Sequence, residues 1–285
     1  MKNKILSIAL ICIFIFSSVA FADAETHEAV VSLGKNLSEE QRKEMLNLFG
    51  ANENAKIIEV TNEEEREYLG EFIDEKLLGT RAISSVYVEK LPEGEGIMVD
   101  SRNITWVTND MYRNAIVTAG IKDAKIVVAA PFQVSGTAAL TGIMKAFEDL
   151  TGEEITEVEK KIASEEIAKT ATLGSEIGQE EAEELITNIK MYVVKNNVKR
   201  KGSIKKVAEE MANDLGIELT KEQMDQIVSL MKGISKLNLD IDEIKGQLQD
   251  ISGKIDKITQ QNIEIRSLLE RILDAITNFF SKLFK

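Results

Sequence analysis

Cysteine, histidine, tryptophan and proline are almost missing from this chain: 285 residues hold one Cys, one His, one Trp and two Pro. The single cysteine, Cys12, lies inside an apolar leader. Cleavage of that leader leaves no disulfide, no thiol nucleophile and no thiolate metal site, so the protein stands on its core alone. Positive charge is short as well. Lys and Arg number 35 against 48 Asp and Glu, a formal charge of −13 that favours solubility and disfavours general nucleic-acid binding. No nucleic-acid partner is expected.

The leader is a secretory signal over residues 1–22. Lys2 and Lys4 form its basic start, Ile5 to Val19 its apolar run, and Ala20-Phe21-Ala22 its small-residue cleavage site. The run is short for a membrane span, and Cys12 follows Ile11 rather than the small residue that lipid attachment needs. Losing Lys2 and Lys4 takes the charge from −13 to −15. The expected destination is extracellular, associated with the cell surface.

The rest of the chain is organised around Asn103 to Gly152. Thr108 is a helix N-cap, and Met111, Tyr112, Ala115, Ile116 and Ala119 recur at helical spacing up to Gly120. Ala124 to Ala130 is continuous and β-branched, a strand expected to be buried on both faces and closed by Pro131. Val134-Ser135-Gly136-Thr137 opens a second helix with Leu140, Ile143, Met144 and Phe147 on one face. Before this stretch, Asp23 to Asn36 reads as a loose lead-in. Ser38 with Gln41 and Thr61 with Glu64 form capping boxes; the second opens a helix expected to run through Leu78. Ile57 to Val60, Ala82 to Lys90 and Gly96 to Ser101 read as strands.

The predicted class is α+β: an N-terminal α/β sandwich over 23–152, then a helical region over 153–237, then a coiled-coil and amphipathic tail over 238–285. The order β-α-β-β-α-β predicts the split βαβ arrangement of ferredoxin-like sandwiches. Helices are expected over Ile155–Leu173, Glu180–Asn196, Ile204–Leu215 and Thr220–Leu237. Leu219-Thr-Lys-Glu-Gln223 echoes Leu37-Ser-Glu-Glu-Gln41, better read as two separate capping boxes than as a repeat.

From Ile241 the apolar period tightens. Ile241, Ile244, Leu248, Ile251, Ile255, Ile258, Ile265, Leu269, Ile272, Ile276, Phe279 and Leu283 alternate steps of three and four, with Asn262 as the one polar seam residue. Such a helix is roughly 65 Å long and needs a partner: a second copy, the preceding helix or a membrane. Toward the end Ile276, Phe279, Phe280, Leu283 and Phe284 form a broad aromatic face with Lys282 and Lys285 opposite, which suits a bilayer interface.

Val31-Ser-Leu-Gly-Lys-Asn-Leu, Thr61-Asn-Glu-Glu-Glu-Arg, Asn103-Ile-Thr-Trp-Val-Thr, Met111-Tyr-Arg-Asn-Ala and Pro131-Phe-Gln-Val-Ser-Gly-Thr-Ala-Ala-Leu-Thr-Gly resemble the YpuA-like family. These are exported Bacillota proteins carrying a domain of unknown function. The resemblance spans Ala29 to Leu237 and implies export and a shared fold. It brings no catalytic residues.

No catalytic constellation, cofactor site or metal site emerges from the residues. Acyl transfer needs a nucleophile beside a base, and the one histidine, His27, is isolated. Ser229-Leu-Met-Lys232 matches S-x-x-K without its companion motifs, and Ser135 is better read as part of a helix-capping turn. Glu180, Glu181, Glu183 and Glu184 lack calcium-loop spacing. Two surfaces are candidate binding sites. Ser135, Gly136 and Thr137 could seat an anion on helix N-terminal amides. Lys195, Lys199, Arg200, Lys201, Lys205 and Lys206 lie within twelve residues that contain no acid, an anion-seeking patch on an acidic chain. The expected function is a non-catalytic binding or scaffolding module of the cell envelope, its partners a second copy, a membrane surface or an anionic wall polymer. The alternative is an extracellular hydrolase acting through carboxylates that the sequence does not single out.

Overall fold

The computed structural model describes residues 29–51 and 55–248. The leader with Cys12, the isolated His27 and the tail after Leu248 lie outside the described residues. The first described element corrects the lead-in: Ala29–Gly34 is a strand, β1, buried along nearly its whole length. A six-residue strand covered on both faces carries no alternation of apolar and polar residues, so periodicity does not reveal it.

With β2 (Lys56–Val60), β3 (Ser85–Lys90), β4 (Ile97–Ile104) and β5 (Ala124–Val134), β1 builds one sheet in the order β2-β1-β3-β5-β4. The pairs β1–β2 and β4–β5 are parallel, and β3 runs antiparallel to both β1 and β5. The split, ferredoxin-like arrangement is therefore not formed. Helix α1 (Glu39–Phe49) returns the chain from β1 to its neighbour β2, and α4 (Asn109–Thr118) returns it from β4 to its neighbour β5. Two unsplit βαβ units are joined by β3. The apolar β1 takes the inner position that the expected topology gave to β2, and β2, with Lys56 and Ile57 exposed, becomes an edge.

Strand β5 also departs from expectation. It passes through Pro131 to Val134, and Lys125 is exposed rather than buried. The proline is tolerated because the β4–β5 ladder is interrupted there, between Arg102 and Ile104. Asn103 bulges at φ 63° and donates its side-chain amide to the Ala130 carbonyl at 2.7 Å.

One sheet face, with Val30, Val86, Val88, Val99, Ile126 and Val128, packs under α4 and α5 (Thr137–Thr151). Gly142 lets α5 approach closely, since a Cβ there would lie 3.1 Å from the Ser32 hydroxyl. The opposite face, with Val31, Leu33 and Ala129, is covered by α1 through Met45 and Phe49, whose ring stacks on Tyr87 with centroids 6.4 Å apart. Helix α6 (Glu157–Ile177) adds Ala163, Ile167 and Ala171 to the first core, while its Ile162 and Leu173 join a second core with α7 (Gln179–Lys195), α8 (Lys201–Asp214) and α9 (Lys221–Ile234).

Helix starts follow the predicted caps at Ser38, Thr61, Thr108 and Thr220, and Thr156 with Glu159 adds a further capping box. The helix expected through Leu78 is instead two pieces, α2 (Asn62–Leu69) and α3 (Glu75–Leu78), broken at Gly70 and restarted by the Asp74 cap. Arg66 staples them, with its guanidinium on both Glu75 carboxylate oxygens at 2.6 and 2.7 Å and on the Gly79 carbonyl. Leu77 is 39% exposed, because the restart turns Leu78 into the core instead.

The long seam begins differently from the prediction. Helix α10 spans Ile241–Gln247, and Ile244 and Leu248 are buried in the core of their own chain. These first seam positions are thus occupied by neither a second copy nor a membrane. The seam after Leu248, including Asn262 and the face of Ile276, Phe279, Phe280, Leu283 and Phe284, lies outside the described residues.

Candidate functional site

The turn from β5 to α5 brings Ser135, Gly136 and Thr137 together and fills the space around them from within. Gly136 sits at φ 97° as the N-cap of α5, and its carbonyl accepts from the buried Tyr112 hydroxyl at 2.5 Å. Ser135 does not cap the helix. Its hydroxyl donates to the Leu77 carbonyl at 3.0 Å and lies 3.1 Å from the Thr137 hydroxyl. Thr137 hydrogen-bonds the carboxylate of Glu65, which also accepts from the Asn62 amide at 3.0 Å. Burial pushes the Glu65 carboxyl above its ordinary range, against the opposing pull of Thr137, Asn62 and Arg66. Burial, then the Glu65 charge, drives the Tyr112 phenol up too. The hydroxyls of this turn are therefore engaged within the chain, Ser135 by the Leu77 carbonyl and Thr137 by Glu65. No sequence signal pointed to Glu65, because it stands in an acidic helix turn beside Glu63 and Glu64.

A second buried polar group was equally silent. Lys190 and Glu166 are 0% and 1% exposed and pair at 2.7 Å between α7 and α6. The ammonium also donates to the Asn114 carbonyl at 3.0 Å and the Thr118 hydroxyl at 3.1 Å, both on α4, and Thr118 donates to the other Glu166 oxygen. The available clue was a lysine as the sole charge in the run from Leu185 to Val194. The arrangement is closed and fully paired, which suits it to registering three helices.

Among the residues weighed for hydrolysis, Ser229 lines a shallow groove of about 550 Å³ with Lys169, Lys221, Glu222, Asp225 and Gln226. Lys232 of the S-x-x-K match donates to the Lys199 carbonyl at 2.7 Å. Lys169 pairs with Glu165. A serine whose motif lysine is bonded elsewhere has no base from that motif. Of the α7 acids, Glu183 accepts from Thr108, and burial followed by the Glu181 charge raises the Glu184 carboxyl. Among the described residues no group of three His, Cys, Asp or Glu side chains is placed to hold a metal ion.

The cationic patch is displayed rather than buried. Lys195, Lys199, Arg200, Lys201, Lys205 and Lys206 are all exposed around the turn from α7 to α8. Lys205 and Lys206 are partly offset by Glu209 and Glu210 at 3.5 and 3.8 Å, one helical turn on. Lys195, Lys199, Arg200 and Lys201 have no acid partner among the described residues. The turn is shaped by Asn197 at φ 49° and anchored by the bond from Lys232 to the Lys199 carbonyl. Its opening helix, α8, has no side-chain cap and no acid in its first turn, so the positive end of the helix adds to the lysines.

A family model described as a protein of unknown function (DUF1002) matches residues 33–251. The chain belongs to the DUF1002 family. It is 38% identical over 281 residues to the uncharacterized protein YpuA of Bacillus subtilis (strain 168), an alignment covering 97% of each chain. No solved structure matches it. The family match opens within β1 and runs past the end of α10, so β2 to β5, the helices from α1 to α10 and the cationic turn fall inside the DUF1002 region.

Proposed function

We propose that this DUF1002 protein is an exported, non-catalytic binding module of the cell envelope that meets an anionic partner through the α7–α8 turn. The observation that carries this reading is the set of four exposed cations, Lys195, Lys199, Arg200 and Lys201, without an acid partner among the described residues, on a chain of net charge −13. An acidic protein is repelled from anionic surfaces in most orientations, so a local cationic turn sets one orientation for contact. Export is read from the leader at residues 1–22, and it puts the turn where anionic envelope surfaces are met. The Ser135–Thr137 turn is left out of this reading because its hydroxyls are already engaged within the chain, Ser135 on the Leu77 carbonyl and Thr137 on Glu65.

The test is equilibrium binding of the chain from Asp23 onward to an anionic matrix at low and physiological salt. Replacing Lys199, Arg200 and Lys201 by Glu is expected to abolish retention and its salt dependence, while Arg200→Lys alone, with both lysines kept, leaves both intact. Retention unchanged by charge reversal refutes the reading.

A further inference from the structure

The two edges of the sheet are finished differently, and we propose that the β4 edge pairs with β4 of a second copy, antiparallel and centred on Ser101. At the other edge, β2 is five residues long, and its outward Glu59 carbonyl is taken by the Lys145 ammonium at 2.7 Å. Such blocking keeps an edge from recruiting strands. Strand β4 is eight residues long, with β5 on one side and no strand on the other among the described residues. The direction of its backbone follows from two bonds. The Gly96 carbonyl accepts from the Ala124 amide at 3.1 Å, so Gly96 turns toward β5. Successive residues of a strand turn their amide and carbonyl to opposite sides. Met98, Asp100 and Arg102 therefore serve β5, while Ile97, Val99 and Ser101 face off the edge. The Ser101 amide agrees, since it donates to the side chain of its own neighbour Asp100 at 2.9 Å. The stretch is bounded at both ends. A Cβ on Gly96 would lie 3.1 Å from the Gly246 carbonyl of α10, and Asn103 bulges at φ 63°.

Between those bounds the side chains choose the occupant. Ile97 and Val99 are buried in the first core. Met98, Asp100 and Arg102 stand exposed on the other face, and neither Asp100 nor Arg102 has an ion-pair partner among the described residues. Two antiparallel copies with Ser101 opposite Ser101 bring Asp100 of each copy opposite Arg102 of the other, twice by symmetry and on one face of the joined sheet. The two Ser101 residues then exchange amide-to-carbonyl bonds, and each Asp100 leaves its own Ser101 amide for the facing Arg102. The symmetric register centred on Asp100 instead sets two carboxylates against each other, and the one centred on Val99 puts Asp100 opposite Met98. A foreign strand could satisfy the backbone. A copy of β4 also brings both opposite charges in matching order.

The chain from Asp23 to Lys285 holds no cysteine, so Ser101→Cys gives a protein with one thiol, at the centre of the proposed ladder. Opposed residues of an antiparallel pair lie within disulfide reach, at a Cα separation of about 5.5 Å. Val158→Cys, at an exposed position on α6, is the control for random collision. Each protein is oxidised with copper phenanthroline, and the covalent dimer is followed across a dilution series. Asp100→Arg, Arg102→Asp and the two together are then made in the Ser101→Cys background. Both positions are exposed, and circular dichroism checks that the fold is kept. Cross-linking is expected well above the Val158→Cys control, about tenfold lower in each single charge change and restored when both are combined. Mixing the Asp100→Arg protein with the Arg102→Asp protein is also expected to restore it, because every facing pair is then opposite in charge. Cross-linking through Ser101→Cys no higher than the control overturns the proposal, whether the chain is monomeric or associates through another surface. Cross-linking that persists through both single charge changes overturns it too, because the charges then do not face each other.

Discussion

Lys190 shows what a single charge costs when every partner is counted. Its ammonium is held by Glu166, Thr118 and the Asn114 carbonyl, with no water-facing side. Lys190→Met strands the Glu166 carboxylate and is expected to cost about 3–5 kcal/mol in urea denaturation. Replacing both, as Lys190→Met with Glu166→Leu, removes the stranded charge and is expected to recover most of that loss. Glu65 makes a pH-dependent contribution of known sign. Its folded-state pKa is raised above the ordinary value of 4.5, so the folded protein holds this proton more tightly than the unfolded chain. Stability from this group is therefore greatest below that value and declines as pH rises through the window up to its folded pKa. Denaturation midpoints measured across pH should show this decline, and Glu65→Gln should flatten it. Glu59, held low by hydrogen bonding from Lys35, acts in the opposite sense at more acidic pH. Gly136→Ala is expected to destabilise by about 2 kcal/mol or more. Gly136 sits at φ 97°, and a new Cβ would land on the Tyr112 hydroxyl and 2.5 Å from an Ile104 methyl.

Among the elements, α10 depends most on its neighbours. Seven residues do not make a stable helix alone, so α10 depends on Ile244, Leu248 and the Gln247–Asp123 bonds. The Asp123 carboxylate also accepts from the Gly94 and Gly96 amides at 3.0 and 2.8 Å, tying the β3–β4 turn to the same point. Asp123→Ala should raise hydrogen exchange in α10 and in residues 91–96 together, with the α8 and α9 amides unchanged. Exchange raised in α10 alone would show that the two segments are not coupled through Asp123. Element starts were legible in the sequence because capping is local: Ser38, Thr61, Thr108 and Thr220 each satisfy an amide three residues away. The interruption at Gly70 was not legible, since Arg66 bonding to Glu75 and Gly79 across the break involves residues nine and thirteen positions apart.

For the molecule as a whole, the only tryptophan is a built-in reporter. Trp106 is nearly buried; its indole donates to Ser175 at 3.3 Å and its carbonyl accepts from Gln179 at 3.4 Å, so it sits where the sheet meets α6 and α7. Since α6 contributes to both cores, tryptophan fluorescence and far-ultraviolet circular dichroism should report one coincident unfolding transition. Two separated transitions would show that the cores unfold independently. Of the candidate sites, the cationic turn was legible as a run of basic residues without acids. The hydrogen bond that engages Thr137 in the Ser135–Thr137 turn was not, because Glu65 comes from α2, some seventy residues earlier in the chain.

The sequence by itself determined the α+β class, the capped helix starts, the apolar faces that fill both cores and the grouping of the α7–α8 cations. All of these depend on residues within a turn or two of each other, where period and capping chemistry are read directly. Only the tertiary structure decided that β1 lies inside the sheet, that β4 and β5 are neighbours, and that Lys190 and Glu166 meet. Strand order and buried pairs depend on which distant surfaces exclude water from each other, and a linear pattern leaves that choice open.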